Sequence, residues 1–400
     1  VTIPRVVVAA AASSAGKTTI ATGLMAALRG AGREVAGFKV GPDFIDPGYH
    51  SLATGRPGRN LDAVLTSTEL VPRLFLRGAL TPSPADIAIV EGVMGLFDGQ
   101  LNRDGFGSTA HIAQLIDAPV VLVVDAAGSS RTAAVAALGL RDYSAAIRVA
   151  GVVVNRVASS RHAAEIAAVF ESAGVPVLGL VPRNAGIAAP SRHLGLVPAS
   201  ERAESAATIA ALAAHIAEHV DLSAVVDVAA SAPALAAEPW NPADTVVPVS
   251  GRPLVGVMAG RAFTFRYTET TELLTAAGCE LVEIDPLRDC ELPSGLAGLY
   301  IGGGFPEVHA TELSRNAPLR AAIAAAVGSG LPTVAECAGQ LYLGAHLDGH
   351  PMVGTLPASA RMTPRLSLGY RAAVAPADTL LAAAGQAVSA GDVLLSIEAM

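Results

Sequence analysis

The sequence predicts an α/β protein of two tandem domains, each a mostly parallel sheet covered by helices, and three observations carry that prediction. Short Val- and Ile-rich runs alternate with helix-length, alanine-rich segments, the pattern of strands buried on both faces with helical crossovers between them. Four hundred residues with 52% hydrophobic and 16% charged content are too apolar for a disordered chain and too long for one ordinary domain. A Pro/Ala/Ser-rich stretch without a sustained period, residues 223–253, divides the alternation in two.

In the first half, strands are expected at residues 3–10, 34–40, 86–91, 119–125, 148–155 and 175–181, with helices at 17–29, 109–115, 132–140 and 161–173. Residues 1–12 contain one Arg and an apolar run, but they lead directly into Ser13-Ser14-Ala15-Gly16-Lys17-Thr18 without a polar cleavage region; they read as a buried strand. An amphipathic helix around 201–220 closes this unit. The second series begins at 254–258 and continues through 281–284, 298–301 and 332–335. The expected organisation is a domain over 1–222, a linker over 223–253, a second domain over 254–384 and an atypical tail over 385–400.

Several function classes fall away. Apolar runs such as 119–124 are far shorter than the ~18 to 20 residues of a membrane span, so no membrane association is expected. Cys279, Cys290 and Cys337 are too widely spaced for a disulfide framework or a CxxC metal site, which suits a reducing cytoplasm. With 27 basic against 35 acidic residues and no Lys/Arg block, nucleic-acid partners are not expected. A homodimer is compatible with the sequence.

The clearest chemical signal follows the first strand. Ala11-Ala12-Ser13-Ser14-Ala15-Gly16-Lys17-Thr18-Thr19 is a P-loop with Ala11 in place of the usual first glycine, set between a strand and a helix as the motif requires. Backbone N–H groups from Ser14 to Thr19 attract phosphate oxygens, Lys17 neutralises β/γ charge, and the Thr18 hydroxyl suits magnesium. Acidic residues recur after later strands: Asp43 and Asp46 in Gly41-Pro42-Asp43-Phe44-Ile45-Asp46-Pro47, Glu91 at a strand end, and Asp98 before Gly99. The carboxyl ends of such strands converge on the ligand crevice, so Thr18, Asp43 and Glu91 form the expected magnesium set. Taken singly, Asp46 before Pro47 and Asp98 before Gly99 are also ordinary turn residues.

Four motifs together carry a resemblance. Lys39-Val40-Gly41-Pro42-Asp43-Phe44-Ile45-Asp46-Pro47, Glu91-Gly92-Val93-Met94-Gly95-Leu96-Phe97-Asp98-Gly99, Gly302-Gly303-Gly304-Phe305-Pro306-Glu307 and Ala335-Glu336-Cys337-Ala338-Gly339 are similar, in order, to the cobyrinate or hydrogenobyrinate a,c-diamide synthases of cobalamin biosynthesis. The similarity runs over roughly residues 3–384. It implies a P-loop NTPase-like, dethiobiotin-synthetase-like ATP domain followed by a class I glutamine amidotransferase-like domain. It further implies a ligase that amidates the a and c acetate carboxylates of a corrin with ATP, Mg2+ and L-glutamine or ammonia, through an acyl phosphate. Carried over by motif, Lys17, Thr18, Asp43 and Glu91 serve ATP and magnesium, and Asp46 and Asp98 lie near the reacting carboxylate. Arg56 and Arg59 are candidates for holding substrate carboxylates, with solvated loop residues as the plainer reading. Phe44 and Ile45 lie between the two aspartates and are candidates for substrate contact.

In the second half, Cys337 follows an apolar strand and precedes small residues and a helix, an elbow that presents a nucleophile and stabilises its thiolate. Gly302, Gly303 and Gly304 could offer backbone N–H groups to an oxyanion. Cys279 and Cys290 read as packing residues. The family takes its base from a histidine in a Gly-His-Glu-Phe-His segment, which does not occur among these 400 residues. His309, His346 and His350 match no such segment and read as surface or loop residues. Residues 385–400 end in Glu398-Ala399-Met400, which is similar to the approach to the lysine of a biotin-carrier domain without that lysine. The resemblance therefore carries over the nucleophile and not the base. Two other readings remain open: the same chemistry on another tetrapyrrole, and a non-enzymatic nucleotide switch on the P-loop scaffold.

Overall fold

The computed structural model describes residues 1–184, 205–363 and 370, together with the backbone of 191–192 and 195–196. The expected start of the helix at 201, Leu368, Gly369, Arg371 and the whole tail 385–400 lie outside the described residues. The chain forms two compact units, Val1–Trp240 and Asn241–Met400.

The first unit is built on a seven-stranded parallel sheet. Its strands are β1 (Arg5–Ala10), β2 (Val35–Val40), β3 (Arg59–Leu61), β4 (Ile87–Glu91), β5 (Val120–Asp125), β6 (Val149–Val157) and β7 (Val177–Pro182), in the order β3-β2-β4-β1-β5-β6-β7. Every residue of β1, β2 and β4 is buried, which is why their sequences are apolar runs rather than alternations. Strand order reverses beside β1, so a crevice opens at the carboxyl ends of β1, β2 and β4. Strand β3 was not expected. It has three residues, lies at the sheet edge, and its Arg59-Asn60-Leu61 sequence shows no strand periodicity.

Among the described residues, eight helices flank this sheet: α1 (Lys17–Gly30), α2 (Ile45–Thr54), α3 (Leu70–Leu80), α4 (Thr109–Leu115), α5 (Arg131–Tyr143), α6 (Ser160–Ser172), α7 (Ser205–His219) and α8 (Leu222–Ala230). A two-residue pair, β8 (Ser191–Arg192) with β9 (Gly195–Leu196), precedes α7. Helix α1 is buried along most of its length because α7 packs on it. Gly23 makes that approach close: a Cβ there would sit 2.4 Å from Ile216 Cγ1 and 3.1 Å from Leu212 Cγ.

The segment expected to be a linker, 223–253, is corrected by the structure. Residues 222–230 form α8, capped by the Asp221 carboxylate, which accepts from Ala224 N, and burying Val225 and Ala229 four residues apart. The chain then stays on the first unit. Pro233 O accepts from the buried Arg5 guanidinium at 2.8 Å, Leu235 N donates to Val1 O, and Trp240 is buried with its N–H on Arg73 O. The prolines that follow α8 hid its helical pattern.

The second unit has a four-stranded parallel sheet, β10 (Leu254–Met258), β11 (Glu280–Ile284), β12 (Leu296–Ile301) and β13 (Thr333–Ala335), in the order β11-β10-β12-β13. Helices α9 (Thr268–Ala276), α10 (Ala310–Arg315), α11 (Ala317–Gly328) and α12 (Ala338–Leu343) accompany it. Its core gathers Met258, Ile301, Leu313, Leu319, Ile323 and Tyr342. A small sheet of β14 (His346–Leu347), β15 (His350–Pro351) and β16 (Ser359–Ala360) follows.

The α1–α7 contact yields the first prediction. Gly23→Ala gains about 1 kcal/mol of helix propensity, yet it drives a methyl into the fully buried Ile216 side chain, and overpacking costs about 1–3 kcal/mol. The expected net result is a lower urea midpoint for the first unit. A raised midpoint would show that the two helices separate freely.

Candidate functional site

The P-loop takes its shape from two left-handed residues, Ser14 (φ 64°) and Gly16 (φ 94°). Gly16 is required twice over, because a Cβ there would lie 2.2 Å from Asn155 Nδ2. Asn155, near the end of β6, donates from Nδ2 to Ala15 O at 3.0 Å. Its neighbour Arg156 donates to Ser14 O at 2.8 Å and pairs with Asp125, at the end of β5, at 2.8 Å. The loop is thus held by the two strands beyond β1. Ser14 and Thr19 are exposed, Ala15 and Lys17 are buried, and Gly16 and Thr18 are half-buried. Lys17 Nζ folds back onto the carbonyls of Ala12 (2.8 Å) and Met94 (2.6 Å). Burial, with Lys39 nearby, pushes its pKa down to about 8.

Behind the loop lies a buried cluster that the strand register creates. Lys39 of β2 and Glu91 of β4 are direct cross-strand partners, so their side chains emerge together on one face. Lys39 Nζ lies 2.9 Å from Glu91 Oε1, 2.6 Å from Asp46 Oδ2 and 3.1 Å from Gly92 O. His50 Nε2 meets the other Glu91 oxygen at 2.7 Å. The Thr18 hydroxyl donates to Glu91 Oε1 and stands 3.5 Å from Asp46 Oδ2. Burial opposes the Lys39 charge, but Glu91 and Asp46 outweigh it and its pKa is raised. Burial likewise opposes the Glu91 charge, and Lys39 and His50 overcome it, holding this carboxyl well below the usual range. Asp46 moves the other way, raised by its own burial and then by the Glu91 charge. Of the two carboxyls, Asp46 is therefore the readier to carry a proton.

The structure brings Lys17, Thr18, Asp46 and Glu91 together, and places Asp43 and Asp98 in the flanking loops. Asp43 Oδ1 accepts from Ile45 N at 2.9 Å, and Asn60 of β3 bonds the carbonyls of Gly41 and Asp43. Asp98 Oδ2 accepts from Gly95 N at 2.9 Å. The hard oxygens closest to Thr18 are those of Glu91 and Asp46, a donor set that suits Mg2+. Lys39 and His50 were missed, although both left a trace: Lys39 opens the Lys39–Pro47 motif, and His50 follows Asp46 by four residues, on the same face of α2.

Arg56 is corrected. Its guanidinium is buried and donates to the carbonyls of Gly78, Ala79, Thr81 and Ser83, which makes it a clamp on the end of α3 and neither a substrate ligand nor a solvated loop residue. Arg59 is also buried, in β3, and Ile45 is buried while Phe44 is half-buried.

In the second unit, Cys337 stands between β13 and α12 with φ 50° and ψ −111°, a strained elbow. The backbone N–H groups of Ala338 and Gly304 donate to its sulfur. Gly304 is confined there, since a Cβ would lie 2.1 Å from Ala262 O. Burial nevertheless pushes the Cys337 thiol up, and Glu307 and Glu336 add to the rise. The expected stabilised thiolate is thus corrected: desolvation outweighs the two N–H donors. His309 lies in a turn, as one half of its reading had it, but is buried rather than at the surface, with Nδ1 3.4 Å from Glu312. His346 is exposed and His350 half-buried. Cys290 is exposed and so is not a packing residue, whereas Cys279 is half-buried.

Making an amide from a carboxylate requires phosphoryl activation and a source of nitrogen, and these two units divide that labour. The protein is an ATP-dependent amidating ligase with a glutamine amidotransferase domain. Residues 6–197 match the family described as CobQ/CobB/MinD/ParA nucleotide binding domain, and residues 254–388 match the CobB/CobQ-like glutamine amidotransferase domain. The hydrogenobyrinate a,c-diamide synthase of Thermobifida fusca is 58% identical over 96% of this chain and 83% of its own length. That of Streptomyces coelicolor is 51% identical over 96% of this chain and 85% of its own. The cobyrinate a,c-diamide synthase of a Synechococcus strain is 39% identical over 96% and 84%. The chain belongs to the cobyrinate and hydrogenobyrinate a,c-diamide synthase family of cobalamin biosynthesis. Among the described residues no helix is long and apolar enough to cross a membrane.

Two predictions follow from this geometry. Asp46→Asn and Glu91→Gln should each cut single-turnover ATP cleavage by at least about tenfold and raise the Mg2+ requirement, with Asp43→Asn milder, because Asp43 faces a backbone N–H. A Mg2+ titration shifted by Asp43→Asn and unmoved by Asp46→Asn would return the metal to Asp43. The second prediction concerns Cys337. Its raised pKa means that the reactive thiolate keeps accumulating with pH beyond the range of an ordinary thiol, so alkylation by iodoacetamide should still be climbing where a free cysteine has levelled off. Mass-spectrometric rates that level off at or below the ordinary range would reveal a base acting on the sulfur.

Proposed function

We propose that the chain amidates the a and c acetate carboxylates of hydrogenobyrinate, using ATP·Mg2+ and nitrogen from glutamine or ammonia. The observation that carries this reading is the meeting of Thr18, Asp46, Glu91 and Lys39 directly behind the P-loop, where a γ-phosphate and a substrate carboxylate would come together. The hydrogenobyrinate enzymes, at 58% and 51% identity, support the cobalt-free corrin over the cobyrinate enzyme at 39%.

A carboxylate at neutral pH is a poor electrophile without a good leaving group. One of its oxygens first attacks the γ-phosphorus, the bond to the β-phosphate oxygen breaks, and ADP leaves. Lys17 and the loop N–H groups stabilise the charge spread over the transferring phosphoryl group. Thr18 and Glu91, with Asp43 or Asp46, would hold Mg2+, which neutralises the β- and γ-phosphate oxygens when bound. Lys39 places a fixed positive charge where the acyl phosphate forms. Asp46 and Asp98 flank the reacting group, and Asp46 is able to take a proton from the incoming ammonia. Ammonia then adds to the carbonyl carbon and phosphate departs with the substrate oxygen.

Isotope transfer tests the sequence of steps. With the a and c carboxylates labelled with oxygen-18, each amide formed should release one phosphate carrying one label, with ammonium or glutamine as donor. Lys17→Ala should abolish amidation with both donors, and Cys337→Ala should spare ammonium. Unlabelled phosphate would exclude the acyl phosphate. ATP cleavage of equal rate without any corrin would favour the nucleotide switch, and a preference for another tetrapyrrole would reassign the substrate.

A further inference from the structure

A second group of ligating side chains, sharing no residue with the sites above, lies in the last turns of α7. His215, Glu218 and His219 occupy positions i, i+3 and i+4, so all three project from one helix face. One ligand atom from each lies within 4.8 Å of the others, which among the described residues no other trio of His, Cys, Asp or Glu achieves. The two rings are adjacent, with centroids 4.6 Å apart.

Their hydrogen bonds fix where the lone pairs are. His219 Nδ1 is 2.9 Å from the carbonyl of His215, and His215 Nε2 is 3.3 Å from the carbonyl of Pro182 in β7. A carbonyl only accepts, so those two nitrogens carry the protons, and His215 Nδ1 and His219 Nε2 are left as lone-pair donors. Metal-binding histidines are held in the same way, one nitrogen on a carbonyl and the other on the ion. A lone basic residue in the last helical turn is explained by the helix dipole. That accounts for His219; it does not account for His215 one turn earlier, bonded to another element, or for an acidic residue beside them.

We propose that His215, Glu218 and His219 bind a first-row transition-metal dication such as Zn2+. Two imidazoles and a carboxylate are a zinc-type donor set, and the exposed Glu218 leaves the remaining position to water. Because His215 is bonded to β7 and α7 packs on α1, an ion here ties the edge strand to the helix that follows the P-loop.

Calorimetry with Zn2+ tests this on the full chain, with its thiols alkylated and Mg2+ in excess so that neither competes. One equivalent should bind, and His215→Ala and His219→Ala should each weaken binding at least about tenfold. The wild type should also gain thermal stability with Zn2+, a gain absent from the double variant, while amidation without Zn2+ stays the same in both. Absence of a binding isotherm, or equal stoichiometry and affinity in the double variant, would overturn the proposal.

Discussion

One ammonium shared by two buried carboxylates organises the nucleotide half of this protein. Lys39 sits between Asp46 and Glu91, with almost no solvent access to any of the three, so none of the charges is tolerable alone. Removing one member of such a buried set costs roughly 3–5 kcal/mol, because the others are left uncompensated. The arrangement follows from the sheet: β2 and β4 are parallel neighbours in a register that pairs Lys39 with Glu91, and α2 returns Asp46 and His50 over the same face. Thr18 joins through α1, which starts where the P-loop ends. Two crossover helices and two strands therefore converge on one ion cluster, which holds the Thr18 hydroxyl at the start of α1.

The two halves solve their charge problems in opposite ways. In the first unit, burial is offset by an opposite charge, so Glu91 stays ionised in a dry environment. In the second, Cys337 has two backbone donors, while burial and two nearby carboxylates push against the thiolate. The first arrangement is poised for phosphate chemistry. The second raises the pKa of a thiol that sits on a strained backbone.

Much of this was legible in the sequence, for identifiable reasons. Long apolar strands and the P-loop could be read directly, because complete burial leaves an uninterrupted Val/Ile signature and because Gly16-Lys17-Thr18 has few other uses. Edge strand β3 could not, since three polar-flanked residues carry no period, and with it went Asn60, which holds the Asp43 loop. Helix α8 was lost behind the prolines that follow it. The carboxylates were recognised as a group, but their division of labour was not: Asp43 and Asp46 are three residues apart, and only the turn into α2 decides which one faces Thr18. Arg56 shows the limit most plainly, because a buried guanidinium that donates from Nη2 to four carbonyls has no sequence signature distinct from a substrate-binding one.

The upward shift of the Cys337 thiol also bears on its oxidation. Peroxide attacks thiolates, and a sulfur kept as thiol, half-buried and flanked by acidic groups, is slow to enter the path from sulfenic to the irreversible sulfinic and sulfonic acids. Cys290, by contrast, is open to solvent and far along the chain from the elbow. The desolvation that raises the Cys337 pKa thus also shelters its sulfur from oxidation, a shelter that the exposed Cys290 lacks.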